Sequence, residues 1–501
     1  VSTVLLTHSN HLRFDAKQMR KMQPYPPLGT LYAASALRSA GISVAVFDVM
    51  LAEDPFGGFA RALEQHRPEI VVIYEDDFNF VTKMCLDHMR TTAHRLAELA
   101  HAQGATVVAH GSDATDHASE YLRNNVDYVL NGEAERALID VCAELLQSKK
   151  PLNVAGVVSF DCDGKLRQSA ESTAKNPSWT ELPPPARDLI DMEPYRAAWT
   201  EAHGYFSTNV VSSRGCPYQC NWCAKPISGN KFRVRQPAAV AAEIHTLKVV
   251  HQVDHIWFGD DIFALDHRWI EEFAKEMELQ GAVLPFKIQS RADLMSESTV
   301  AALKRAGCAE IWMGVESGSQ KILDAMDKNL SLTDVYIARE RLRKANIRAC
   351  YFIQFGYPGE GWAEIVETAE VIRQTRPDDI GVSLSYPLPG TRFYERVQAQ
   401  LGSKRNWMNS DDLCIMFTAP YTDEFYRVLR DAMHAEVATW SSATAPTSHE
   451  SAQQLWQRLV EMERYGRNPD ALTLSDDMGE QPRFSSTGAP LVQLLAGTTE
   501  S

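Results

Sequence analysis

The segment Arg214-Gly215-Cys216-Pro217-Tyr218-Gln219-Cys220-Asn221-Trp222-Cys223 follows the strand-like run Ser207-Thr208-Asn209-Val210-Val211. It sets three cysteines at C-x3-C-x2-C in one short loop. Thiolates are the usual protein ligands of iron–sulfur clusters, and a four-iron cluster held by four cysteines is closed. Three thiolates from one loop hold three irons and leave the fourth open to a small molecule, as catalytic zinc sites keep an open position. Gly215 lets the backbone approach a bulky inorganic core. The alternatives are half of a zinc site or three unrelated buried thiols. Zinc needs a fourth ligand, and no His or Cys follows at a convincing spacing. Cys216, Cys220 and Cys223 are therefore the candidate metal ligands.

What surrounds this loop tells which kind of chain carries it. At 501 residues the chain exceeds one ordinary domain. A hydrophobic fraction of 45% and a charged fraction of 23% are those of a globular protein. The net charge of −15 argues against a dedicated nucleic-acid binder, whose phosphate affinity needs a basic surface. No apolar run is long enough to span a membrane. Val1–Leu6 reads as a strand, without a basic leader or a cleavage site. Nine cysteines without a framework spacing point to a reducing cytoplasm, and Cys85, Cys142, Cys162, Cys308, Cys350 and Cys414 read as core or incidental thiols.

Downstream of the cysteines, strands and helices alternate. Strands are expected at Ser207–Val211, His255–Phe258, Phe286–Gln289, Ile311–Gly314, Ala349–Phe355 and Ile380–Leu384. Helices fall between them at Ala238–Val250, Arg268–Gln280, Glu297–Ala306, Leu332–Ala345 and Trp362–Gln374. Six such units suit a partial (β/α)6 barrel, with its site at the carboxyl ends of the strands. Polar residues stand there in succession. Gly259-Asp260-Asp261 follows the second strand, Gln289-Ser290-Arg291 the third, Gly314-Val315-Glu316-Ser317 the fourth and Gln354-Phe355-Gly356 the fifth. The aspartates suit an ammonium, and Arg291 suits a carboxylate in a bidentate fork. Taken singly, Asp260 and Asp261 also read as helix caps, the glycines as turn residues and Glu316 as a surface charge.

Upstream, residues 1–150 also alternate. Val4–Leu6, Val44–Phe47, Ile70–Ile73, Thr106–Val108 and Val126–Leu130 read as strands. Leu28–Ser39, Phe59–Gln65, Thr91–Ala102 and Ala134–Leu146 read as helices. The α/β pattern predicts a doubly wound, Rossmann-like parallel sheet that binds its ligand at the carboxyl edge. The loops on that edge carry His8-Ser9-Asn10-His11, Tyr74-Glu75, His110-Gly111-Ser112 and Asn131-Gly132-Glu133. Residues 151–200 read as a hairpin about Asp161–Gly164 and a Pro-rich linker, Glu181–Arg187. The barrel then spans 201–400, and a mainly helical cap 401–470 carries helices at Glu424–Val437 and Gln453–Tyr465. Tyr426 and His434 read as packing residues ahead of pocket residues. Lys404-Arg405 and Asp411-Asp412 belong to the cap, Ser441–Ser448 is a polar break, and 471–501 reads as a disordered tail.

With these residues in view, the chain resembles the radical S-adenosylmethionine (SAM) superfamily. Within it the resemblance is to the cobalamin-binding branch of the anaerobic magnesium-protoporphyrin ester cyclase and the radical SAM methylases. It covers roughly residues 1–437. It implies a 4Fe-4S cluster whose open iron chelates SAM, and cleavage of SAM to a 5′-deoxyadenosyl radical. For SAM it implies Asp260 and Asp261 at the amino group, Ser290 and Arg291 nearby, Glu316 and Ser317 at the ribose, and Gln354, Gly356 and Trp222 near the adenine. For cobalamin it implies Asn10, Tyr74, Glu75, Gly111, Ser112 and Glu133. The signature D-x-H-x-x-G, whose His binds cobalt in other cobalamin proteins, is absent here. His11 lies in the right loop, but a lone His is more often a hydrogen-bonding loop residue.

The function expected from this resemblance is methyl transfer from methylcobalamin to an unactivated carbon of a small natural-product or lipid-like molecule. The runner-up is a cyclisation or rearrangement, and a non-catalytic cobalamin or iron–sulfur sensor or electron carrier is the alternative from another class. A carrier closes its cluster with four ligands, which disfavours it here. A methylthiotransferase needs three further N-terminal cysteines, and only Cys85 and Cys142 are present. The expected partners are the small substrate and an electron donor such as flavodoxin or ferredoxin, with no nucleic acid and no membrane span. No catalytic side chain is assigned, and the pattern does not give the substrate.

Overall fold

The computed structural model describes residues 3–151, 153–169, 182–402, 406–410, 413–440, 451–471 and 473–474. Among them stand two large parallel sheets, as the alternation predicts. The first contains β1 (Val4–Thr7), β2 (Val44–Val46), β3 (Ile70–Tyr74), β4 (Thr106–His110), β5 (Tyr128–Leu130), β6 (Val157–Phe160) and β7 (Leu166–Gln168). Their order is β2-β1-β3-β4-β5-β6-β7, with the first five parallel and the last two antiparallel. The central parallel strands β1, β3 and β4 are largely apolar because both faces are covered. Val4, Leu6, Val72 and Val108 pack on Ala33, Leu37, Leu138 and Val141. The alternate residues Leu5, Val71, Ile73 and Val107 pack on Phe59, Leu63, Ala93 and Leu96. The order reverses between β1 and β3, and such a switch point opens a crevice at the carboxyl edge.

The hairpin read as part of an interdomain stretch extends this sheet: β6 pairs with β5 through Val129–Val158 and Leu130–Val157. Its apolar residues Val157 and Val158 are buried on the two faces, so the hairpin gains more from joining the sheet than from standing alone.

The second sheet contains β8 (Ser207–Val210), and a short antiparallel pair, β9 (Ser213–Arg214) and β10 (Arg233–Val234), brackets the cysteine loop. The sheet continues with β11 (His255–Phe258), β12 (Phe286–Ser290), β13 (Cys308–Glu316), β14 (Arg348–Phe355) and β15 (Asp379–Leu384). The six large strands lie in chain order, all parallel, as an open arc. β13 starts earlier than the sequence pattern suggests. Gly307, at φ +107°, ends the helix Glu297–Ala306 and turns straight into the strand.

The long loop after β1 ties the two sheets together. Trp199 Nε1 donates to the Pro24 carbonyl and Asn209 Nδ2 to that of Pro26. The Tyr25 ring lies 4.6 Å from that of Trp257. A six-residue helix, Ala16–Lys21, sits in this loop, capped by Asp15, whose carboxylate also accepts from Ser410 of the cap. A helix that short shows no amphipathic period and was not legible in the sequence. The cap helices run Asp423–Ala438 and Ala452–Gly466, and Tyr426 is buried in the core. Lys404-Arg405, Asp411-Asp412, the Ser441–Ser448 break and the tail from 475 lie outside the described residues. Among the described residues no helix is long and apolar enough to cross a membrane.

Candidate functional site

The cysteine loop is held from outside by its neighbours. Gly215 has φ +80°, and a Cβ there would lie 2.2 Å from the Lys231 carbonyl oxygen, so only glycine fits. The Lys225 ammonium donates to the Cys216 and Tyr218 carbonyls at 3.0 and 2.5 Å. Cys216, Cys220 and Cys223 carry no disulfide and are partly exposed. Burial and the neighbouring cysteines push the Cys223 thiol up to about 12, with Lys225 opposing. Among the described residues no three His, Cys, Asp or Glu side chains converge on a single-ion position. A loop that gives each thiolate to a different iron needs no such convergence. Unpaired thiols on a braced, partly open loop fit a cluster.

Around the barrel rim the acids and bases are already engaged with one another. Asp260 accepts from the Ser212 amide and hydroxyl and from the Ser213 hydroxyl. Burial raises Asp260 to about 6 against those hydrogen bonds. Asp261 meets Lys83 Nζ at 2.5 Å and accepts from the Gly215 amide. Arg291 forks onto Asp293, donates to the Lys328 and Asn329 carbonyls, and lies 3.8 Å over the Tyr218 ring. Glu316, at φ +64° beside a register shift in β13, pairs with the buried Lys328 at 2.9 Å. Ser290 donates to the Phe263 carbonyl, Ser317 contacts Thr368, and Gln354 donates to Ser385.

Three buried polar atoms near the end of β14 lack a partner: Glu360 Oε1, Tyr421 OH and Tyr426 OH. Trp222 Nε1, inside the cysteine loop, is likewise unpartnered. Gly356 has φ +78°, and a Cβ there would strike Ile415 and approach Tyr426, so the cap seats directly on it. Orphaned donors and acceptors beside this rim fit a polar ligand such as SAM.

The rim of the first sheet is built tightly. Thr30 donates to the Tyr74 carbonyl at 2.6 Å, and Asp76 accepts from the Gly29 amide at 3.0 Å. A Cβ on Gly29 would press on the Glu75–Asp76 backbone from one side, and one on Gly111 would meet the Glu75 side chain at 2.8 Å. Ser9 donates to Glu75 Oε1, while Glu75 Oε2 has no partner. Burial raises Glu75 to about 7, with His8 opposing. Ser112 donates twice to Asp77 Oδ1. Glu133 is turned to Arg233 of β10. Asn10 is buried. His11 has both ring nitrogens in use: Nδ1 accepts from the Arg13 amide and Nε2 faces the Ala52 carbonyl.

The two rims share one cleft, lined from both sheets and from the segment after the cysteines. Tyr74, Glu75 and Ser112 line it from the first sheet, Asp261 and Leu388 from the barrel, and Ala224–Ser228 from the segment after the last cysteine. Ion pairs lash the walls together. Arg214 meets Glu135 at 2.5 Å, Lys83 meets Asp261 at 2.5 Å, and Arg233 pairs with Glu133. Sequence reasoning put Asp77, His110 and Glu135 in loops at the ligand edge but gave them no role, and it missed Lys83 and Arg214 as wall residues, because these pairings are made only by the tertiary fold.

This geometry defines a class. Residues 210–372 match the model of the Radical SAM superfamily, and the chain is a radical SAM enzyme, whose cofactors include a 4Fe-4S cluster and SAM. More particularly, an uncharacterized methyltransferase of Pyrococcus horikoshii is 26% identical over 375 residues, covering 74% of this chain and 78% of that one. The hopanoid C-3 methylase of Methylococcus capsulatus is 24% identical over 431 residues, covering 83% and 78%. The solved structure of the cobalamin-dependent SAM radical enzyme OxsB, with aqua-cobalamin and SAM bound, superposes with a TM-score of 0.70 at 15% identity, covering 93% of this chain and 71% of that one. That likeness is one of fold.

Proposed function

We propose that this chain is a cobalamin-dependent radical SAM methylase acting on an unactivated carbon of a small natural-product or lipid-like molecule. The observation that carries this reading is the single cleft shared by the carboxyl rim of the first sheet and the segment after Cys223. Two cofactors seated on those rims would face each other without intervening protein. When bound, the cluster with SAM supplies a hydrogen-abstracting radical and cobalamin supplies the methyl group. The chain's own residues do the placing. Cys216, Cys220 and Cys223 would hold three irons, and Lys225 fixes the turn of their loop. The pairs Arg214–Glu135 and Lys83–Asp261 set the spacing between the rims. Asp260, Asp261, Ser290, Arg291, Glu316, Ser317, Gln354, Gly356 and Trp222 would surround SAM. Asn10, Tyr74, Glu75, Gly111, Ser112 and Glu133 would meet cobalamin.

The reading includes a reducing, cytoplasmic setting with a flavodoxin- or ferredoxin-like electron donor, supported by nine cysteines of which none is paired. Methyl transfer is preferred to cyclisation because the two relatives described above are named a methyltransferase and a methylase, at 26% and 24% identity against 21–23% for the magnesium-protoporphyrin ester cyclases. The test is anaerobic reconstitution with cobalamin, then turnover of candidate substrates with methyl-labelled SAM. One labelled methyl in the product together with 5′-deoxyadenosine is expected. SAM cleavage by a chain that binds no cobalamin would overturn the reading.

A further inference from the structure

Two orphaned acceptors on the wall of the cleft carry an inference that rests on the cobalamin reading. His110 Nε2 faces the Gly132 carbonyl at 2.9 Å, so in the neutral ring the hydrogen sits on Nε2 and Nδ1 keeps its lone pair. Nδ1 is buried and unpartnered. Asp77 spends Oδ1 on the amide and hydroxyl of Ser112, while its Oδ2 is also buried and unpartnered. The two orphan atoms lie 3.6 Å apart, beyond direct hydrogen-bond range. Neither side chain is free to swing away. The His110 ring stacks on Tyr74 at 4.0 Å and is 1% exposed, and Asp77 is 10% exposed. Leaving two such acceptors dry costs free energy, so the site asks for a ligand group with two hydrogens on one atom.

The charge on the wall narrows the choice. Glu75, Asp77 and Asp116 line the same cleft. The cations Lys83 and Arg214 are already engaged by Asp261 and Glu135, and the Lys225 ammonium is held on the Cys216 and Tyr218 carbonyls. A ligand carboxylate here would bring a like charge and no donor. A primary carboxamide brings two N–H bonds and no charge, and the rim of the corrin ring carries several of them as side chains.

We propose that Asp77 Oδ2 and His110 Nδ1 form a two-acceptor clip for the –NH2 of one primary carboxamide on the corrin rim, so that the chain takes the amidated corrinoid and rejects its carboxylate form. Water fills such a clip equally well in geometry, and it would make no distinction between corrinoids.

The experiment is a spectrophotometric titration of the cluster-loaded protein with aquacobalamin, with each of its separated propionamide monocarboxylic acids, and with the corresponding neutral N,N-dimethylamides. One monoacid and its dimethylamide are expected to bind about tenfold or more weakly than cobalamin, the loss of a charge-assisted hydrogen bond, while the other positions bind nearly as cobalamin does. In Asp77→Asn, which keeps an oxygen for Ser112 and offers an N–H in place of Oδ2, the disfavoured monoacid should regain its affinity. His110→Gln, which retains a donor for the Gly132 carbonyl, reads the same clip from the other side and should shrink the amide-to-dimethylamide ratio. Equal binding of all the derivatives, or discrimination that persists unchanged in both folded variants, overturns the clip and leaves the cobalamin reading standing. Failure of the wild type to bind any corrinoid removes both.

Discussion

Across the cleft, the barrel rim and the rim of the first sheet handle their charges differently. On the barrel, Asp260 is taken by Ser212 and Ser213, Asp261 by Lys83, Arg291 by Asp293 and Glu316 by Lys328. On the first sheet, Glu75 Oε2, Asp77 Oδ2 and His110 Nδ1 are buried and bonded to nothing. A ligand reaching these paired side chains of the barrel rim must share or exchange existing partners, so each such contact nets little, and the vacancies on that side are Glu360 Oε1, Trp222 Nε1 and the cap tyrosines. A ligand reaching the first sheet fills vacancies whose desolvation has already been spent, and each contact nets more. The cysteine loop stands between these cases, because its thiols gain their partners only from the cluster.

The sharpest break is therefore at that loop. Replacing Cys216, Cys220 and Cys223 together by Ala should abolish iron binding, cluster absorbance and SAM cleavage. Cys85→Ala, although Cys85 also lines the cleft, should retain about four irons. Iron analysis beside 5′-deoxyadenosine production decides it, and loss of the cluster in Cys85→Ala would refute the three-ligand assignment.

Next in size is the lashing between the rims. Arg214 and Glu135 are 4% and 7% exposed, so Arg214→Met should strand a buried carboxylate and cost about 3–5 kcal/mol in denaturant unfolding. The double variant Arg214→Met/Glu135→Leu should cost less than the single one. Burial pushes the Glu135 carboxyl up, and the Arg214 charge more than offsets it, leaving the pKa below its ordinary value. The pair's stabilisation is thus complete above the ordinary carboxylate range and fades as acid titrates Glu135 through its lower folded value. The gap between wild type and Arg214→Met should close with acidification, and a gap independent of pH would show that the pair does not carry it.

These effects also mark what the sequence made legible. Apolar runs bounded by strong end signals came out to the residue: the helix Leu28–Ser39, the strand β11, and the helix Glu297–Ala306 between its Ser296 cap and Gly307. The order of polar residues at successive strand ends was also readable, since the barrel puts every such end on one rim. Which charge meets which was not. Lys83 and Asp261 are 178 residues apart, and Arg214 and Glu135 are 79 apart. Neither pair has a local pattern. Gly111 illustrates the limit: the sequence suggests close approach of a cofactor, whereas a Cβ would first meet the Glu75 side chain. A bulky residue there damages the rim itself, so Gly111→Val would not isolate a contact with cobalamin.

A milder loss tests the exchange at the barrel rim. Glu316→Ala should weaken SAM binding by about 1–3 kcal/mol, the range for leaving buried polar partners unpaired. Because Lys328 loses its carboxylate partner Glu316 in the same step, Glu316→Ala/Lys328→Met should restore stability without restoring SAM affinity. Equilibrium binding of SAM beside thermal unfolding separates the two. Unchanged SAM affinity with altered substrate selectivity would move Glu316 from the SAM site to the substrate site.

The smallest effect is expected at His11, and its smallness is informative. An imidazole that ligates cobalt must present a ring nitrogen with a free lone pair. The Nδ1 of His11 already accepts from the Arg13 amide at 3.1 Å, capping the short turn Leu12–Phe14, and its Nε2 faces the Ala52 carbonyl at 2.8 Å. A carbonyl oxygen only accepts, so Nε2 carries the hydrogen and neither nitrogen is left for a metal. Burial, with Arg13 and His8 nearby, also lowers the His11 pKa, so the ring is neutral at pH 7 and its cap does not depend on charge. His11→Gln should therefore cost no more than a lost cap, about 0.5–2 kcal/mol. It should leave the electron paramagnetic resonance spectrum of bound cob(II)alamin as it is in the wild type. Nitrogen superhyperfine splitting that disappears in His11→Gln would show an axial imidazole from this loop, and would require the turn at Leu12–Phe14 to open when the corrinoid binds.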